Sequence, residues 1–153
     1  MVPITGSGFL HLMGLVLLCC TIVFMSCHKS RSSSSVQREA TLRERIYQLE
    51  KETLGPGDLG SAIAVPTDNT EFIIEQKEAA VPALIEALKE ETKPVLLGYA
   101  AYCMRRIGSD RGRDVARQQY QKLLAKGSDL TVEESFARNE LKNYLEQLNR
   151  GNK

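Results

Sequence analysis

The stretch Ala79 to Gly108, AAVPALIEALKEETKPVLLGYAAYCMRRIG, leaves this chain few folds to choose from. Val81, Leu84, Ile85 and Leu88 fall at i, i+3, i+4 and i+7, which lines branched apolar side chains along one side of a helix while Glu86, Lys89 and Glu90 face water. Glu91-Thr92-Lys93-Pro94 then interrupts the pattern. Pro94 has a φ suited to the first turn of a second helix, behind an N-cap expected at Thr92. In that second helix Leu96, Ala100, Cys103 and Ile107 form one stripe, and Leu97, Ala101 and Met104 form an adjacent one. Such a wide apolar arc predicts a central position covered on two sides. Ala100 and Ala101 are small enough for a neighbouring helix to approach closely, and Gly108 supplies a left-handed stop.

The Val81-Pro82 opening, the inner-face residues Leu84, Ile85 and Leu88, the Pro94 opening, and then Ala100-Ala101, Ile107 and Gly108 make this stretch similar to one repeat of the HEAT family. Those repeats are antiparallel helix pairs that stack into solenoids. The resemblance covers about thirty residues closely and the region after residue 36 loosely. It implies a helical fold and recognition by surface, and it names neither a substrate nor a partner. It also brings in a second class of function, because some proteins with similar repeats act as lyases on bilin chromophores; a purely structural envelope spacer with no specific partner is the third reading.

Helical periodicity continues on both sides of this pair. Leu42, Ile46, Leu49 and Thr53 or Leu54 make a first amphipathic helix over 36–54, and the Gly- and Pro-rich GPGDLGSAIAVP over 55–66 breaks it, with Ile63 and Val65 expected against the core. Asp68 with Glu71 reads as a capping box ahead of Phe72, Ile73 and Ile74, and Pro82 predicts a bend or short interruption before the HEAT-like pair. Val115, Ala116, Tyr120, Leu123 and Leu124 define a helix over 110–126 that Gly127 closes. Thr131 with Glu134 is a second capping-box match, and it opens a last helix with Val132, Phe136, Ala137, Leu141, Tyr144, Leu145 and Leu148 as its stripe. The expected fold is all-α, either a short HEAT-like α-solenoid or a compact bundle of antiparallel helix pairs. The last two helices lack a second Val-Pro opening and Ala-Ala pair, so they suit a cap over the clear repeat.

Charge divides the chain near Cys27. No Lys, Arg, Asp or Glu occurs before Lys29, so the formal net charge of +1 belongs to the remainder. Residues 1–27 contain the nearly continuous apolar run Phe9 to Cys27, of the length a membrane-spanning helix needs. Three readings compete for it: a lipoprotein signal peptide, an uncleaved anchor and a plain secretory signal. Val23-Phe24-Met25-Ser26-Cys27 is similar to a bacterial lipobox and makes Cys27 the lipid-attachment candidate; residues 28–35 then form a Ser-rich tether to a helical domain over 36–153. Under this preferred reading the domain is extracytoplasmic. Lys29 and Arg31 support the alternative, a single-pass anchor with its domain in the cytoplasm.

Little in the sequence points to catalysis. His11 and His28 are the two histidines and both lie in or beside the apolar segment, so the helical domain holds no imidazole for acid–base work or metal ligation. Cys103, alone in that domain, reads as a small buried hydrophobe. Glu75, Glu78, Glu86, Glu90 and Glu91 read as a solvated face. Gly55, Gly57 and Gly60 satisfy G-x-G-x-x-G, but they follow a helix and include Pro56, which has no N–H to offer a phosphate. No catalytic, metal, cofactor or small-molecule site is expected. A basic run is the more informative surface: Arg105, Arg106, Arg111, Arg113 and Arg117, with Lys122 and Lys126, are opposed locally by Asp110 and Asp114. Arginine forks suit carboxylates and phosphates, so this is the candidate partner-binding face. The competing reading is a soluble face of helix-spaced ion pairs. Aromatic interleaving is limited to Tyr120, which favours a protein partner over nucleic acid.

Overall fold

The computed structural model describes residues 35–57 and 61–151. The apolar run, Cys27 and residues 28–34 of the tether lie outside them. The chain divides into Met1–Ala40 and Thr41–Lys153. In the first unit residues 35–40 are helical and exposed; the second carries everything that follows.

Helical structure accounts for 71% of the described residues and the strands are two residues each, so the fold is all-α. Residues 41–48 form α1, which tightens into a 3-10 turn at Leu49–Lys51. A small antiparallel hairpin follows, β1 (Gly55–Pro56) against β2 (Ala62–Ile63), with Gly55 opposite Ile63 and Pro56 opposite Ala62. Next come α2 (Asp68–Glu75), a 3-10 turn at Lys77–Ala79, α3 (Val81–Ala87), α4 (Pro94–Ile107), α5 (Arg113–Ala125) and α6 (Val132–Arg150).

Helix α4 is the axis of the unit. Its residues from Leu96 to Met104 are all buried, and α6 covers it most extensively, with the Leu49–Lys51 turn, α3 and α2 completing the cover. The wide apolar arc read from the sequence is therefore filled. Each fully buried Leu, Ile or Phe in this core contributes about 1.5–3 kcal/mol. Close contact of α4 with α6 depends on Gly98, where a Cβ would lie 2.3 Å from Phe136 Cε1. The absent side chain leaves room for the Phe136 ring, which packs 5.4 Å from the Tyr99 ring at 59°. Tyr99 also ties the hairpin down: its hydroxyl donates to the Thr53 carbonyl at 2.9 Å and accepts from the Val65 N–H at 3.3 Å.

Helix ends follow local chemistry. Thr131 and Glu134 form the expected capping box, with the Thr131 N–H donating to Glu134 at 3.0 Å and the Glu134 N–H donating to Thr131 Oγ1 at 3.2 Å. Gly108 closes α4 with φ 79°, its N–H donating to the Met104 carbonyl at 3.0 Å. The break expected before Pro82 is present. It falls at Lys77, whose φ of 49° is left-handed, and it lets Pro82 sit in the first turn of α3 where a missing N–H costs nothing.

Several expectations need correction. The cap of α2 is Thr67, paired with Thr70, and not Asp68 with Glu71. Thr67 has the extended backbone of an N-cap, whereas Asp68 is already helical and sits with Glu71 in the first turn, where the helix dipole favours both. The N-cap of α4 is Lys93 and not Thr92, because Pro94 itself takes the first helical position; the Lys93 ammonium instead meets Glu50 at 2.8 Å. In β2 Ala62 is the buried residue, while Ile63 and, just beyond the strand, Val65 are 47% and 38% exposed. A strand period of two turns Ala62 inward and its odd-numbered neighbours out. In α5 Gln119 is buried and Leu124 is 43% exposed, and Val132 at the start of α6 is 61% exposed.

Candidate interaction surface

The five arginines of the basic run do not form one patch. Arg105 and Arg106 are consecutive in the last turn of α4, so their side chains leave the axis about 100° apart. Arg105 turns toward α6, where its guanidinium pairs at 3.1 Å with Glu140, a carboxylate only 7% exposed, and lies 5.4 Å from the centre of the Tyr102 ring. Arg106 is exposed and donates to the Tyr102 hydroxyl at 2.8 Å. Arg105 thus serves the core, and Arg106 the surface.

The other three arginines sit on or after the α4–α5 turn, residues 108–112. Arg111 lies 3.8 Å from Glu78, and both side chains are more than half exposed. Arg113 opens α5 half-buried, and its Nε is buried without a hydrogen-bond partner. Arg117, one turn further along, lies 3.7 Å from an Asp114 carboxylate that is almost wholly exposed. Both distances exceed hydrogen-bond length, and exposed pairs of this kind contribute about 0–1 kcal/mol. Lys122 and Lys126 belong elsewhere: the first pairs with Glu91, the second with Glu134. The Lys126 ammonium holds the Glu134 carboxyl below its ordinary value, helped by the Thr131 N–H.

Helix α6 supplies residues that the sequence did not single out for this surface. The Tyr144 hydroxyl donates to the Ser109 carbonyl at 2.7 Å, and the Gln147 amide donates to the Arg105 carbonyl at 2.9 Å. With Glu140 they recur at helical spacing along one side of α6. Burial pushes the Tyr144 phenol up to about 12, so it stays a donor at neutral pH. Gly112 brings the turn in close, since a Cβ there would lie 2.8 Å from Met104 Cε and 3.3 Å from the Tyr144 hydroxyl.

The residues weighed for chemistry have plain surroundings. Cys103 is fully buried, and burial pushes its thiol up to about 12, far from the thiolate that nucleophilic attack requires. Glu86 is paired with Lys89 at 2.6 Å, and Glu75, Glu78 and Glu91 are exposed. Gly55 and Gly57 belong to the hairpin, where the Gly57 N–H donates to the Ser61 carbonyl at 2.7 Å; Gly60 lies outside the described residues. No phosphate cradle at a helix start is formed by the two described glycines. Among the described residues no group of three or more His, Cys, Asp or Glu is placed to hold a metal ion, and no helix is long and apolar enough to cross a membrane.

No protein-family model, no curated protein and no solved structure matches the chain.

Proposed function

We propose that this protein is a membrane-tethered helical module that acts by binding another protein through its surface rather than by catalysis. The observation that carries this reading is the α4–α5 turn, where exposed arginines with long or incomplete internal pairings are presented on a segment fixed to the core. Burial of Cys103 with a raised pKa weighs against a nucleophilic mechanism for the helical domain. Within the fold, α3 and α4 are the HEAT-like pair. Helix α2, the Leu49–Lys51 turn and α6 close around α4, and α5 packs on α6, as a compact bundle rather than an open array, a reading supported by the cover on α4 from four elements and by the largely polar outer face of α5.

The tether is lipid on Cys27, which makes the domain extracytoplasmic; Lys29 and Arg31 favour the uncleaved anchor as the second reading. Mass spectrometry of the mature N-terminus separates the two, with an acylated Cys27 expected and an intact Met1 or Val2 start overturning it. For the function, cross-linking on native membranes followed by reconstitution with purified components is expected to give a defined complex. Turnover of a substrate by the isolated protein, abolished by Cys103→Ser, together with no complex, would overturn the reading.

A further inference from the structure

The α4–α5 turn is gripped on one side and open on the other. Glu140, Tyr144 and Gln147 of α6 hold it through the Arg105 side chain, the Ser109 carbonyl and the Arg105 carbonyl. Arg111 on the turn, Arg106 just before it and Arg117 just after it are exposed, Arg113 is half-buried, and none of the four meets a carboxylate at hydrogen-bond distance among the described residues. Arg111 and Arg117 meet theirs at 3.8 and 3.7 Å, Arg106 has a phenol as its hydrogen-bond partner among the described residues, and Arg113 Nε has no partner. Pairs this exposed exchange readily for an incoming ligand, and a guanidinium fork binds a carboxylate through two parallel hydrogen bonds. Because the turn is already fixed by α6, its ordering cost is met in folding and not at the moment of binding.

We propose that this turn docks an acidic segment of a partner protein, with Arg106, Arg111, Arg113 and Arg117 as the carboxylate-binding forks and Tyr144 and Gln147 as positioning residues. The proposal rests on the reading of the protein as an interaction module and adds the chemistry of what it binds. Glu78, Asp110 and Asp114 stand among the arginines, and this favours a peptide over a membrane. A uniformly anionic lipid surface meets those carboxylates with repulsion, whereas a peptide whose acids are spaced apart can place each one against an arginine.

The test uses the full chain in detergent micelles and a fluorescein-labelled Glu-Gly repeat peptide, read by fluorescence anisotropy at low salt. Wild type is expected to bind, and the double change Arg113→Glu with Arg117→Glu to weaken binding by about tenfold or more. Arg113→Lys with Arg117→Lys keeps the charge and the fold but loses the fork, so a smaller weakening is expected. Tyr144→Phe and Gln147→Leu are expected to slow association while leaving the salt dependence of binding unchanged, since they remove no charge. Lys142→Glu, an exposed change on α6 beside Glu146, serves as the control and leaves binding unchanged. Equal affinity of the double-Glu variant and wild type overturns the proposal, as does arginine-dependent preference for phosphatidylglycerol vesicles over the peptide. A purified natural partner that binds regardless of the arginine changes also overturns it, while leaving the interaction-module reading in place.

Discussion

Helices α4 and α5 follow one another in the chain and have nearly equal lengths, 14 and 13 residues, yet they do opposite work. In α4 every residue from Leu96 to Met104 is buried; in α5 the buried residues are Ala116, Gln119 and Leu123. The first is held by neighbours on all sides and tolerates little change. The second is a lid with a narrow inner edge, and its outer side is free to be shaped by what it meets. The contrast separates stability from recognition along the chain, with the 108–112 turn as the border.

The comparison can be broken first at its most packed point. Phe136→Ala empties the space against Gly98 and Tyr99 and is expected to cost about 3–5 kcal/mol of unfolding free energy in urea titrations; a loss below about 1 kcal/mol would mean that α4 is not the axis of the core. Glu140→Ala comes next, because it leaves the Arg105 guanidinium without its counter-charge in a largely covered site. A loss of about 1–3 kcal/mol is expected, with Arg105→Met and Glu140→Met together recovering part of it.

A third measurement concerns pH. The Cys103 thiol is raised from 9.0 to about 12 and the Tyr144 phenol from 10.0 to about 12, so the folded protein keeps protons that the unfolded chain gives up. Stability therefore falls as pH rises from about 9 toward 12, and it falls less steeply in Cys103→Ala. Identical slopes in the two proteins would place the thiol in water. The smallest effect belongs to α5, where Leu124→Gln is expected to change stability by no more than about 0.5 kcal/mol.

Elements set by neighbours in sequence were legible in it. The stripes of α3 and α4, the stop at Gly108, the Thr131 box and the break ahead of Pro82 all depend on residues within a few positions of one another. Cap positions slipped by one residue at Thr67, where neighbouring Thr and Asp offer equivalent oxygens and the backbone angles choose between them, and at Lys93, where Pro94 takes the first helical position whatever side chain precedes it. Long-range partners left no local mark. Glu140 lies 35 positions from the Arg105 it neutralises, and on α6 it looks like any other solvated glutamate. The basic run was equally visible as composition, but the helical rotation that sends Arg105 inward and leaves Arg106 outside appears only once α6 is placed. Gln119 and Leu124 were misassigned for a related reason: α5 has one main neighbour, so the inner edge is too narrow for hydrophobicity alone to mark.

The Tyr99 hydroxyl takes hold of the chain at both Thr53 and Val65, the two ends of the hairpin segment. The chain between them is then a loop closed on α4: Ala62 within it belongs to the core, and the Gly57 N–H bond to the Ser61 carbonyl closes off the part beyond. Extra residues inserted between Gly57 and Ser61 add only the logarithmic entropy of a longer loop, about 0.6 kcal/mol for each doubling. The hairpin tip is accordingly the place where a reporter or a whole foreign domain can be spliced into this protein, and where evolution could have lengthened it at little cost.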